Sequence, residues 1–374
     1  MIQVAIARHF PPGSDSAGFH LDMTFEAGRG VTVLYGPSGS GKTLTLDAIA
    51  GFVAPSTGRI MLDDCILFDA AARVNLPPQQ RSCGYVFQNE ALFPHMTLRR
   101  NLAFAAHRLP RLERHRSIAE MLERFRIADL AGRYPRELSG GQKQRGSIAR
   151  ALIARPKMIL LDEPGRGLDT VLRGELRAVI RELKSSLTVP VILVTHDPED
   201  CFGLADQVLI AESGRIVHRG SPLELLRNPG TAAVARLLGD FNLYEAEVLA
   251  LDPGRQTSRL RMMGTEWNGP HLRGCFKGDR VTLCARPEEL RIVGKPGDNR
   301  IRGEAIRASE RAQFVRVDFG RELVVDVPRE VWSARGEDLW VEVPAGALRQ
   351  LASEAKAGVK VHYSLPRSGG MERG

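Results

Sequence analysis

Gly36-Pro37-Ser38-Gly39-Ser40-Gly41-Lys42-Thr43 is the stretch on which the reading of this chain turns. It follows an apolar run, Val31-Thr32-Val33-Leu34-Tyr35, which predicts a buried strand. It precedes Leu44-Thr45-Leu46-Asp47-Ala48-Ile49-Ala50, which predicts a helix stopped by Gly51. Strand, glycine-rich loop and helix form the context in which G-x-x-x-x-G-K-[ST] becomes a phosphate cradle. Glycines let backbone N–H groups converge on phosphate oxygens, and the helix N-terminus adds partial positive charge. Lys42 is then expected to reach the β- and γ-phosphates, with the Thr43 hydroxyl on Mg²⁺. A Gly/Ser turn that merely ends in Lys-Thr would lack the flanking strand and helix. The stretch implies a nucleoside triphosphate site.

The chain has 374 residues, enough for two domains with separate cores. Hydrophobic content of 43% and charged content of 26% are those of an ordinary globular protein. The first residues, Met1 to Arg8, enter a strand pattern directly, so no secretory leader is expected. No apolar run reaches the roughly 18 residues that span a bilayer, so a soluble chain is expected, with any membrane association made through a partner. Five widely spaced cysteines without a C-x-x-C fit reduced thiols better than a disulfide framework or metal site. The net charge of +8 has no aromatic-basic motif beside it, so no nucleic acid is expected as partner.

Outward from the loop, Ile2 to Ala7 and Phe19 to Phe25 alternate as strands, with Pro11 to Ser14 between them. Arg59 to Phe68 reads as a hairpin, and Cys83 to Phe87 as a strand ending at Gln88. From 97 to 132 the pattern turns helical, with Ile118, Met121, Leu122 and Phe125 on one stripe. Met158 to Leu161 and Val191 to Val194 are buried strands. Between them a helix carries Leu172, Leu176, Val179, Ile180 and Leu183. Residues 207–219 form a hairpin, and Ser221-Pro222-Leu223-Glu224 is a capping box that opens a helix. Alternating apolar strands and helices predict an α/β domain with a largely parallel sheet over 1–238, including a helical subdomain at about 89–157. Beyond it come short strands, at 244–249, 280–285, 304–308, 314–319, 322–327 and 339–343, which predict a small all-β, OB-like barrel over 239–366. Residues 367–374 read as a disordered tail.

Three further constellations carry chemistry. Asp162 and Glu163 end a buried strand, so the first is expected to help hold Mg²⁺ and the second to polarise the attacking water. His196 ends another buried strand and is expected to contact the γ-phosphate. Leu138-Ser139-Gly140-Gly141-Gln142-Lys143-Gln144-Arg145 opens a helix at a serine and two glycines, again a place for anionic oxygen. Lying shortly before Leu-Leu-Asp-Glu-Pro, this phrase resembles the signature of the ATP-binding cassette (ABC) proteins, which are P-loop ATPases. The resemblance covers residues 1–238 in family order: the phosphate loop, a Q-loop at Gln88, the signature Ser139 to Gln142, Walker B at Asp162 and Glu163, a D-loop at Asp169 and a switch histidine at His196.

The resemblance implies a catalytic set of Glu163, His196 and Gln88, a Mg²⁺ set of Thr43, Gln88 and Asp162, and ATP as nucleotide. It implies two cassettes head to tail, each ATP lying between one phosphate loop and the other copy's Ser139-Gly140-Gly141-Gln142. It implies a peripheral subunit on the cytoplasmic face of the inner membrane, bound to two permease subunits and served indirectly by a periplasmic solute-binding protein. Phe10 is the candidate adenine-stacking residue. Two positions depart from the family pattern. The D-loop reads Gly165-Arg166-Gly167-Leu168-Asp169, and Gly146 sits inside the signature helix, where glycine costs about 1 kcal/mol relative to alanine.

Tyr85-Val86-Phe87-Gln88 and Ala91-Leu92-Phe93-Pro94-His95-Met96-Thr97 are similar to importer cassettes, and the C-terminal barrel resembles their TOBE-type appendage. The loop wording is most like the molybdate importers. Arg286-Pro287-Glu288-Glu289-Leu290 is more typical of sulfate, iron and polyamine importers. Molybdate is the expected cargo, with sulfate/thiosulfate, iron(III), polyamine or sugar as alternatives. A soluble ABC ATPase outside transport and a nucleic-acid-binding barrel are the readings from other classes.

Overall fold

The computed structural model describes residues 1–12, 18–88, 92–186, 188–239, 241–311, 313–320, 323–330, 332 and 339–352. The chain divides into two units, Met1–Arg227 and Asn228–Gly374. In the first unit β1 (Ile2–Phe10) and β2 (Phe19–Ala27) pair antiparallel, followed by β3 (Gly30–Tyr35) and α1 (Lys42–Ala50). Next come β4 (Thr57–Leu62), β5 (Cys65–Asp69), β6 (Val74–Asn75) and β7 (Cys83–Val86). The helices α2 (Leu98–Ala105), α3 (Arg111–Arg124) and α4 (Gly140–Ile153) make the helical section. Then follow β8 (Met158–Asp162), α5 (Thr170–Ser186), β9 (Pro190–Thr195), α6 (Pro198–Leu204), β10 (Gln207–Glu212), β11 (Arg215–Gly220) and α7 (Pro222–Arg227).

Among the described residues these strands make one sheet, ordered β6-β5-β4-β1-β2-β11-β10-β3-β9-β8-β7. Its parallel part, β10-β3-β9-β8-β7, is the half that carries the motifs. Every residue of β8 and β9 is buried, as their unbroken apolar runs require of strands covered on both faces. Register then decides where the chemistry lies. Tyr35 pairs with Thr195, Asp162 with Val194, and Val86 with Leu161, so the carboxyl ends of β3, β9, β8 and β7 finish level. Ligands of open α/β sheets bind at this edge. Leu46 and Ile49 of α1 anchor the phosphate helix in the core beneath it.

The buried Arg81 completes that anchorage. Its guanidinium donates from Nη1 to the carbonyls of Ala48 and Ile49 at 2.8 Å, from Nε to Leu76 and from Nη2 to Asn75. Those two carbonyls lie at the C-terminal end of α1, where the helix itself offers no partner.

The second unit begins with the helix Ala232–Leu238, which places it differently from the expected boundary at 238. Ala232 and Ala235 are buried with Cys284 and Leu351, so the helix's small-residue face belongs to the C-terminal core. Among the described residues three antiparallel sheets follow, consistent with a small barrel: one of five strands and two of three. They share one core, including Tyr244, Val248, Leu260, Trp267, Leu283, Val317, Val325 and Val341. The strand expected over 304–308 is displaced to Arg307–Glu310, where Ala308 opposes Val317 of the strand Phe314–Asp318. A hairpin of Thr257–Met262 and Thr265–Pro270, which the sequence reading did not contain, also builds the largest of these sheets. Of the expected barrel, residues 353–366 lie outside the described residues, as does the tail 367–374. Among the described residues, no helix is long and apolar enough to cross a membrane.

Candidate functional site

The phosphate loop turns as its glycines dictate. Gly39 and Gly41 have φ of 81° and 93°, which a side chain adopts only under strain. Gly36 passes so close to β10 that a Cβ there would stand 2.1 Å from the Ala211 carbonyl oxygen. Lys42 is buried at the start of α1, and its ammonium donates to the carbonyls of Gly36 at 2.8 Å and Pro37 at 2.7 Å. Burial pulls its pKa down from the usual lysine value, while the charges of Glu163 and Asp162 oppose that fall. Ser40 is buried within the loop, and Ser38 and Gly39 form its outer turn, closed by Ser40 N–H on the Pro37 carbonyl. Thr43 donates its hydroxyl to Asp162 Oδ1 at 3.2 Å. This joins the two motifs predicted to share a metal.

Asp162 is 3% exposed. Burial pushes its carboxyl up to about 6; the Thr43 hydrogen bond works against this and the Glu163 charge adds to it. Glu163 follows with φ of 44°, a left-handed conformation unusual outside glycine, its N–H held by the Val194 carbonyl at 3.0 Å. Pinned in this way, its carboxylate faces two partners. Oε1 lies 3.1 Å from His196 Nδ1, and Oε2 lies 3.3 Å from Arg166 Nη1. Gln88 lies against the same Arg166 guanidinium, its carboxamide oxygen accepting from Nε and Nη1 when turned toward it. The turn after β9 is fixed by Thr195 Oγ1, which donates to Asp200 at 2.9 Å and accepts from Asp197 N–H. Arg173 and Arg177 of α5 both bind Asp197 at 2.8 Å, so α5 holds the histidine turn in place.

Two clefts meet at these residues. One, of about 290 Å³, is lined by Ser38, Glu163, Arg166, Thr195 and His196 among others. The other, of about 320 Å³, takes in Phe10, Phe19, Gly39, Gly41, Lys42, Thr43, Gln88, Glu163 and Arg166. Most of the phosphate loop, Gln88, Glu163, His196 and Phe10 are thereby brought to one place. Ser139 to Gln142 and Asp169 line neither cleft. Ser139 caps α4 instead: its hydroxyl accepts from Gln142 N–H, and the Gln142 side chain accepts from Ser139 N–H. Gly140 and Gly141 form the first turn, where a Cβ on Gly141 would press within 3.0 Å of Leu172. Asp169 accepts from Leu172 N–H at 2.9 Å at the start of α5.

Three contributors were not anticipated. Phe19, opposite Phe10 across β1 and β2 with ring centroids 6.3 Å apart, was read only as a strand residue. Arg166 was noted as a departure from pattern, not as a partner of Glu163. Arg81 gave no signal, because an arginine in a loop reads as solvated. A triphosphate fits the observed cradle of a buried lysine and close-passing glycines. Magnesium fits as well, since the Thr43 hydroxyl and Asp162 carboxylate are adjacent hard oxygen donors, suited to an ion that takes one or two protein ligands beside phosphate. Among the described residues there is no cluster of three or more His, Cys, Asp or Glu to hold an ion by itself.

The family described as ABC transporter matches residues 19–166. The molybdenum import ATP-binding protein ModC of Paramagnetospirillum magneticum is 35% identical over 347 residues, covering 92% of each chain. The Fe(3+) ions import ATP-binding protein FbpC of Pseudomonas fluorescens is 41% identical over 269 residues, covering 71% of this chain and 72% of its own. Among solved structures, the dimeric post-hydrolysis state of an ATP-binding cassette bound to ADP and Pi aligns with a TM-score of 0.51 and 25% identity. It spans 59% of this chain and 99% of that one.

Proposed function

This chain belongs to the ABC transporter family of ATPases, and on that premise we propose that it is the subunit that drives import of an oxyanion, molybdate, by binding and hydrolysing ATP. One observation carries the enzymatic reading. Glu163 is fixed in a left-handed turn at the sheet's carboxyl edge, within reach of His196 and beside the Thr43–Asp162 pair. In this reading the loop Gly36 to Thr43 cradles the triphosphate, and Lys42 exchanges its loop carbonyls for β- and γ-phosphate oxygens. Thr43 and Asp162, with Gln88, would hold a magnesium ion, which would supply neutralising positive charge at the site. Glu163 accepts the proton of the attacking water, and His196 orients the γ-phosphate side. Phe10, with Phe19 beside it, offers the stacking surface for adenine. Ser139 to Gln142 serve the nucleotide of a second copy, and Asp169 lies at the seam.

The partners in this reading are a second copy, two permease subunits and, through them, a solute-binding protein, with the chain on the cytoplasmic face. Glu163→Gln should keep ATP affinity and lose steady turnover; turnover near wild type removes Glu163 as base. Molybdate is favoured because the similarity to the molybdenum importer covers 92% of this chain, against 85% for a sulfate/thiosulfate importer of the same 35% identity and 71% for the iron importer. Iron(III) is the second reading, favoured by the higher identity to the iron importer over a shorter span. The solute that, with its binding protein, stimulates ATP turnover of the reconstituted complex decides between them.

A further inference from the structure

The D-loop's arginine does something that its sequence position does not announce. Glu163-Pro164-Gly165-Arg166 is a tight turn closed by Arg166 N–H on the Glu163 carbonyl at 3.0 Å. Pro164 and Gly165 at its centre are buried, and the turn rolls the fourth residue back over the first. The guanidinium therefore lands on the carboxylate it follows, Nη1 at 3.3 Å from Oε2, and the same Nη1 with Nε lies against the carboxamide of Gln88, just beyond the end of a different strand. Arg166 lines both clefts. Two oxygens of Glu163 thus have two separate holders, His196 on Oε1 and Arg166 on Oε2, and the plane of the carboxylate is set by the pair.

We propose that Arg166 is a positioning residue for ATP hydrolysis, orienting the Glu163 carboxylate so that it holds a fixed relation to the γ-phosphate. A planar fork suits this task, because its rigid N–H groups fix the direction of the carboxylate they bind. A lysine supplies the charge but not the fixed direction. Arg166 acts through Glu163 and makes no contact with nucleotide in this scheme, so its loss affects the chemical step and not binding.

The proposal rests on the reading of Glu163 as the base, and the test separates the two. Purified full-length wild type, Arg166→Ala, Arg166→Lys, Glu163→Gln and the Arg166→Ala/Glu163→Gln double variant are compared by ATPase kinetics and by calorimetric ATP binding. The expected result is a fall in kcat of about tenfold for Arg166→Ala, the scale of a misplaced catalytic group, with KM and ATP affinity within about twofold of wild type. Arg166→Lys should recover part of kcat, and Arg166→Ala should add nothing to the loss in Glu163→Gln. Turnover of Arg166→Ala near wild type overturns the proposal. So does a rise in KM that matches the fall in kcat/KM, or a loss that multiplies with that of Glu163→Gln. A Glu163→Gln variant that still turns over instead defeats the underlying assignment of the base.

Discussion

At the scale of single residues, two buried charges are both disfavoured by burial and differ in what their partners return. Arg81 stabilises, because four acceptors, two of them helix-end carbonyls, take its donors. Arg81→Met would fill much of the space yet leave the Ala48 and Ile49 carbonyls unpaired. We expect a loss of about 3 kcal/mol in urea unfolding of the first unit, from the scale of charged hydrogen bonds; a change below about 0.5 kcal/mol would contradict the role given to it. Asp162 destabilises the nucleotide-free chain, because burial raises its folded pKa to about 6. The sign follows from proton counting: between about pH 4 and pH 6 the folded state holds more protons than the unfolded one, so stability falls as pH rises through that window. Asp162→Asn should therefore raise the nucleotide-free Tm at pH 8, and its advantage should shrink below pH 4. The same substitution should abolish turnover. A lower Tm at pH 8 would mean that the hydrogen bond to Thr43 outweighs the cost of burial.

At the scale of elements, Gly146 shows why the signature helix tolerates a poor helix former. Its missing side chain is where α2 meets α4: a Cβ would stand 2.7 Å from Cδ1 of the fully buried Leu98, with Leu92 behind it. Gly146→Ala gains about 1 kcal/mol of helix propensity, but overpacking costs about 1–3 kcal/mol. The net expectation is a lower denaturation midpoint, recovered when Leu98→Val is added to make room; a simple gain in stability would show that propensity alone governs this site. The reading of elements from sequence succeeded where one physical signal dominated. The runs in β3, β8 and β9 are largely apolar because both faces are covered, and Ser221-Pro222-Leu223-Glu224 capped a helix as its spacing requires. It failed where the signal was shared or disguised. Thr257–Met262 carries alternate buried positions at Ser258, Leu260 and Met262, but its turn uses Met263 and Gly264 at φ of 52° and 81°. A methionine gives no warning of a primed turn, where asparagine or glycine would. Arg286-Pro287-Glu288-Glu289, taken as a mark of cargo, has a structural task as well. Pro287 is buried, and Glu289 grips Arg349 at 2.5 and 2.6 Å while capping Arg286 N–H. Side chains that act across turns, Arg166 and Arg81 above all, are illegible for a general reason: their partners are fixed by tertiary register and not by spacing.

At the scale of the whole molecule, each unit has its own apolar interior. One is built from residues between Ile2 and Ile216, another from residues between Tyr244 and Leu348, with the smaller cluster around Ala235 and Cys284 also in the second unit. Within the second, Asn242 is 1% exposed and bonds both ways with the Val324 backbone, a clasp closed without reference to the first unit. Separate cores predict separate unfolding transitions, because two-state behaviour belongs to a single cooperative core. All the residues assigned to nucleotide lie in the first unit, so a bound nucleotide stabilises that unit alone by mass action. At a hundredfold excess over Kd the gain is about 2.7 kcal/mol, which for about 200 residues corresponds to a rise of roughly 5–10 °C. Differential scanning calorimetry of Glu163→Gln, with and without ATP and magnesium, reads both transitions at once. The transition of the first unit should move up and the second stay within about 1 °C, and Asn242→Ala should lower only the second. A single transition that moves as a whole would show instead that the two cores unfold as one cooperative body, and nucleotide occupancy would then be felt directly in the C-terminal sheets.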